Sequence, residues 1–211
     1  MEGERSSFLR SIVGAAIGLC IPIAAWADTA PIHLEFRPSA SVVHVNEPVP
    51  MGLWAYTSPG ETQLFRALDM VFTWDSEFLG LDQLDSNGAV YLLTSNFPAG
   101  DPYGLNEVVP PQDGDGYYKA WAPLGEPIQV STDGILLTTF MFTALQTTPA
   151  ACVSIAADGG QPVLQTTVWG GPDANTIVTG GLGSVTIQIV PEPISALLAI
   201  IGGLLLARRR L

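Results

Sequence analysis

Leu68-Asp69-Met70-Val71-Phe72-Thr73-Trp74-Asp75-Ser76-Glu77-Phe78-Leu79 is the stretch whose reading decides the fold class. Side chains of an extended strand point alternately to opposite faces, so Leu68, Met70, Phe72 and Trp74 share one face while Asp69, Val71 and Thr73 share the other. The same alternation recurs at Ile32, Leu34 and Phe36, and again at Val185, Ile187 and Ile189. Ile135 to Leu145 is apolar or Thr throughout, with Phe140 and Phe142 on one face and Met141 on the other, which predicts a central strand covered on both sides. Further strands are expected near Ser41 to Val45, Val49 to Tyr56, Ala89 to Thr94, Gly116 to Trp121, Cys152 to Ala156, Val163 to Val168 and Thr176 to Thr179. Gly, Pro, Asn and Asp punctuate them. About ten short strands and no long helix give an all-β chain folded as a two-sheet antiparallel β-sandwich of the jelly-roll kind. Ser95 to Gly116, long, Pro-rich and acidic, reads as an exposed loop.

Composition agrees with that class. The 211 residues include 22 Gly and 17 Pro, and 47% are hydrophobic, enough to offset the ordering entropy that keeps polar chains unfolded. A net charge of -12 excludes a nucleic-acid binder, whose affinity comes from neutralising phosphates.

The two ends read as addresses. Arg5 and Arg10 precede an uncharged run from Ile12 to Ala25, and Ala25-Trp26-Ala27 has the small-x-small pattern that a signal peptidase cuts. Residues 1–27 are therefore expected to be a signal peptide. Leu19 before Cys20 argues against lipid attachment. At the other end, Pro191-Glu192-Pro193 is followed by the uncharged segment Ile194 to Ala207 and by Arg208-Arg209-Arg210. Fourteen residues at a helical rise span about 21 Å, short of the roughly 30 Å hydrocarbon core. The arginines resist translocation and stay on the cytoplasmic side, which puts the preceding chain outside. Gly202-Gly203 weakens the helix and suits a transient anchor.

This C-terminal arrangement resembles the PEP-CTERM sorting signal of exopolysaccharide-producing Gram-negative bacteria. The resemblance covers residues 190–211 and implies that an exosortase recognises Pro191, Glu192 and Pro193 and removes the helix. The protein would then be held only transiently in the inner membrane and passed to the cell surface or extracellular matrix. A permanent tail anchor is the alternative that hydropathy leaves open.

Between the addresses, residues 28–189 form one domain. Its basic residues are Arg37, Arg66 and Lys119 alone, so its surface is strongly acidic. Val42 to Tyr56 reads as strand, Asn46-Glu47-Pro48 turn and strand; Asp69 to Leu79 reads as a strand running into a turn; and Gly134 to Leu145 opens with Gly and carries Phe140 and Phe142. These segments are similar to the cohesin-like modules of secreted bacterial proteins. Trp74 stands where that pattern has Tyr and Ser76 where it has Pro. The resemblance implies a β-sandwich and does not by itself carry dockerin binding to this chain.

Little in the domain points to catalysis. His33 and His44 sit in no motif, no Gly-x-Ser-x-Gly elbow occurs, and Cys152, the only cysteine of the domain, reads as a core thiol. The alternative of a secreted carboxylate-dependent polysaccharide enzyme would draw on pairs such as Asp75 with Glu77 or Glu107 with Asp113. No cofactor is expected beyond calcium, for which Asp113 and Asp115 in Gln112 to Gly116, and Asp82 and Asp85 in Asp82 to Gly88, are the candidate ligands. A solvated turn is the competing reading. Tyr103, Tyr117, Tyr118 and Trp121 flank the acidic loop, where they would either stack on sugar rings or pack into the core. The expectation is an exported binding or structural protein with exopolysaccharide or other surface proteins as partners, and with no nucleic acid among them.

Overall fold

A computed structural model describes residues 30–100, 104–159, 164–173 and 175–192. The signal segment with Ala25 and Ala27, and the tail from Pro193 through Arg208, Arg209 and Arg210, lie outside the described residues.

Within them the fold is all-β, with no helix. The strands are β1 (Ile32–Pro38), β2 (Val42–His44), β3 (Pro48–Tyr56), β4 (Gln63–Trp74), β5 (Leu79–Asp85), β6 (Thr94–Asn96), β7 (Asp115–Trp121), β8 (Ile128–Val130), β9 (Ile135–Ala144), β10 (Thr148–Ala156), β11 (Thr167–Gly170), β12 (Thr176–Ile177), β13 (Thr179–Leu182) and β14 (Ser184–Val190). They make two packed sheets. One runs β13-β1-β3-β9-β5; the other runs β12-β11-β4-β10-β14-β2, with β7 and β8 also pairing β4 and β6 pairing β7. Long β4 is the axis of the second sheet. Its start pairs β8 and β11, its middle β7, and its end β10.

The alternation read from Leu68 to Trp74 turns Leu68, Met70, Phe72 and Trp74 into the space between the sheets, where each is at most 6% exposed. Phe140 from the facing sheet is the centre of that core. Its ring lies 5.0 Å from Phe72, 5.2 Å from Phe36, 5.4 Å from Tyr118 and 5.6 Å from Phe97, mostly edge to face. A fully buried aromatic of this kind holds about 3–5 kcal/mol against truncation to alanine.

Several expectations change in three dimensions. The sheets are mixed rather than wholly antiparallel, because β1 pairs β13 and β14 pairs β2 in parallel. β9 is central, between β3 and β5, yet only one of its faces is fully buried; the Thr139, Met141 and Thr143 side is half-buried, since no layer lies outside the first sheet. Ala89 to Leu93 is not a strand but an extended crossing between the sheets. There Val90 N–H donates to Leu136 O at 2.9 Å and Leu93 N–H to Trp121 O at 2.8 Å. Strands β5 and β8 lie in stretches with no sustained strand periodicity of their own, and pair β9 and β4 respectively. The Ser95 to Gly116 segment is not simply exposed: Phe97 enters the main core, while Leu105 joins Val71, Tyr117 and Leu164 in a second cluster on the outer face of β4. Val71, assigned by alternation to the polar face, is thereby buried to 1% exposure.

Candidate interaction surface

Directly paired residues on neighbouring strands share a face. On the second sheet the register sets Ile177 of β12 beside Trp169 of β11, Trp169 beside Ala67 of β4, and Ala67 beside Trp121 of β7. Val168, Leu68 and Ala120, the neighbours of these residues along their strands, are buried, so this row points outward. Two indoles thus flank a methyl group, two strand spacings or about 9.5 Å apart. Ile177 is 63% exposed and Trp121 45%. Leu93 and Leu124, also exposed, join Trp121 around a shallow cavity of about 210 Å³ bordered by Arg66, Ala67 and Pro123. Arg66 is already engaged: its Nε and Nη2 donate to the carbonyls of Gly171 and Pro172, both at 3.2 Å, and so fix the turn after β11. Two residues further along, on the same face, Lys119 Nζ stands 3.7 Å from Asp69 Oδ1. The row is apolar on a strongly acidic chain.

In sequence Trp121 stands out beside the acidic loop, while nothing local marks Trp169. Tyr117 and Tyr118, grouped with Trp121 in sequence, are buried; the Tyr118 hydroxyl meets Ser95 Oγ at 2.8 Å, and burial pushes its phenol well above the ordinary tyrosine range. Tyr103 lies outside the described residues.

The two candidate calcium segments lie on separate elements. Asp82 and Asp85 stand on β5; Asp82 Oδ2 accepts from Thr143 Oγ1 at 2.7 Å, and Asp85 Oδ1 accepts from the Asn87 N–H at 2.9 Å in a local turn. Asp113 precedes β7 and Asp115 begins it. Among the described residues no group of three or more His, Cys, Asp or Glu side chains is placed to hold a metal ion. Asp75, considered with Glu77 for acid chemistry, uses Oδ2 to accept the Cys152 N–H at 2.7 Å. Cys152 itself is half-buried on the outer side of β10 rather than in the core.

The histidines are likewise committed. His33 Nδ1 accepts the Gly181 N–H at 2.8 Å, which leaves the ring proton on Nε2, 3.4 Å from Ser58 Oγ. With Nδ1 occupied by that backbone N–H and Nε2 carrying the proton, neither ring nitrogen faces Ser58 as a free acceptor. His44 Nδ1 lies 3.3 Å from Glu47 Oε2, which also accepts the His44 N–H at 2.8 Å; this backbone bond is the first reason that the Glu47 carboxyl sits below its ordinary range.

The described chain ends at the expected sorting motif. Val190, the last residue of β14, accepts the Val45 N–H at 3.0 Å, and Pro191, which has no N–H, follows it. Glu192 Oε1 accepts from Asn46 Nδ2 at 2.7 Å, with Asn46 held left-handed (φ 66°) in the turn between β2 and β3.

No family model matches the sequence, and none of the curated proteins does. Solved structures are similar to it. A cohesin module from a family 33 glycoside hydrolase of Clostridium perfringens aligns over 78% of this chain and 100% of its own, with a TM-score of 0.52 and 14% identity. The seventh ScaB type I cohesin of Pseudobacteroides cellulosolvens aligns over 76% and 93%, with a TM-score of 0.53 and 12% identity. At such identities the likeness is one of fold, and it makes the described domain a β-sandwich of the cohesin type.

Proposed function

We propose that this chain is an exported binding module without enzymatic activity, which engages a protein partner through the outer face of its second sheet. A signal peptidase releases it after Ala27, and an exosortase acts at Pro191-Glu192-Pro193 after the inner membrane has held the tail in transit. The module then works at the cell surface or in the extracellular matrix. The observation that carries the reading is the outward row Trp121, Ala67, Trp169 and Ile177. Indole side chains supply large, rigid contact area and dominate protein interfaces where charged groups are sparse. The cohesin-type sandwich supports the same reading, and so does the placement of the motif one residue after β14, where pairing with β2 stops.

The test is retention of the released protein on the surface of producing cells. A Trp121→Ser, Trp169→Ser double variant should fold normally, because both side chains lie outside the core, and should lose retention by tenfold or more, about 1.4 kcal/mol or more of docking energy. Trp54→Ser, a change on the outer face of the other sheet, is the control. Unchanged retention in the double variant would overturn the docking face.

A further inference from the structure

The crossing between the sheets builds a second feature, apart from the tryptophan row. Where residues 86–93 pass from β5 to β6, the two sheets part and leave an open cleft of about 460 Å³, within the range of small-molecule sites. Leu84, Val90 and Leu92 supply apolar walls, and Ser86 and Ser95 supply hydroxyls. Tyr91, also in its lining, is 74% exposed and so presents most of its ring to solvent. One of the hydroxyls is set by buried structure: Ser95 Oγ is held at 2.8 Å by the fully buried Tyr118 and keeps a lone pair for a further donor, while Thr138, 0% exposed and donating to Asp85 O at 3.2 Å, closes the floor without facing a ligand.

Charge narrows the ligand. Among the described residues no Asp, Glu, Lys, Arg or His lines the cleft, in a protein with a net charge of -12. An anion would meet a repulsive field with no cation to hold it, and a cation would find no carboxylate in the lining. An aliphatic ligand would bury the hydroxyl oxygens without donors, at a cost for each group left unpaired. A sugar ring matches both halves: its C–H face stacks on an aromatic ring, and its hydroxyls are donors and acceptors together. From this match we infer that the cleft is a binding site for a neutral saccharide unit, with Tyr91 as the stacking platform and Ser86 and Ser95 as hydroxyl partners.

Saturation-transfer NMR on the full-length protein tests this with cellobiose, maltose and laminaribiose as neutral probes and glucuronic acid as the charged comparator. At least one neutral disaccharide should receive saturation, and glucuronic acid much less. Tyr91→Ala should weaken that binding about tenfold, the worth of one stacking contact, with an unchanged melting temperature because the side chain is exposed. Ser86→Ala should weaken it without abolishing it. The Trp121→Ser, Trp169→Ser variant should bind the saccharide as the parent does, so failure of the docking face and failure of the cleft are separable. No transfer to any neutral disaccharide at tens of millimolar, or transfer that Tyr91→Ala leaves intact, would overturn the assignment.

Discussion

Glu47 shows how a single exposed side chain stabilises a turn. Its carboxylate accepts the His44 N–H and faces the His44 ring, so its pKa lies below the ordinary 4.5. A carboxyl depressed in the folded state stabilises it above the unfolded value, and that contribution is lost as pH falls through the lower folded value. The melting temperature of Glu47→Gln should therefore lie below that of the parent at neutral pH, and the gap should close on acidification below 4.5. A gap that persists in acid would mean that the charge plays no part. Other single residues serve geometry. A Cβ on Gly170 would stand 2.2 Å from Leu64 O, so only glycine lets β11 lie this close to β4.

Among the elements, the turn from β4 into β5 shows how a local pattern is secured by a distant one. Phe78 and Leu79 N–H groups both donate to Asp75 O, and Trp74 Nε1 donates to Leu79 O at 2.9 Å. Those bonds lie within six residues and were legible as a strand that runs into a turn. The bond from Cys152 N–H to the Asp75 carboxylate was not, because Cys152 on β10 comes 77 residues later in the chain. Asp75→Ala should cost about 1–2 kcal/mol in urea unfolding, since it removes a charge-assisted acceptor and leaves the Cys152 N–H without that partner. Asp75→Asn, which keeps an acceptor oxygen, should recover part of it; equal losses in the two variants would point to the charge rather than the bond.

For the whole molecule, the decisive prediction concerns the tail. If an exosortase processes the chain, the mature protein from cells that carry one should lack Arg208, Arg209 and Arg210 by intact mass, and the same cells without the enzyme should keep them. An intact arginine end in both would support a permanent anchor instead. The strand that leads to the motif is tied down first: β14 pairs both β10 and β2, and Asn46 holds Glu192 just beyond its end. An enzyme acting there works directly against the folded domain.

Strand identity was legible because side-chain direction in an extended chain repeats every two residues, a local property that Ile32, Leu34 and Phe36 or Leu68 to Trp74 express without help from the rest of the fold. The expected tail, with its hydrophobic run and arginines, rests on an equally contiguous signal and lies outside the described residues. Tertiary structure alone decided which strands pair in parallel, that Val71 is covered by Leu105, Tyr117 and Leu164, and that Trp121 and Trp169 come to flank Ala67. Each depends on the register between segments far apart in the chain. No local periodicity encodes that register; it emerges only when the two sheets close over a shared core.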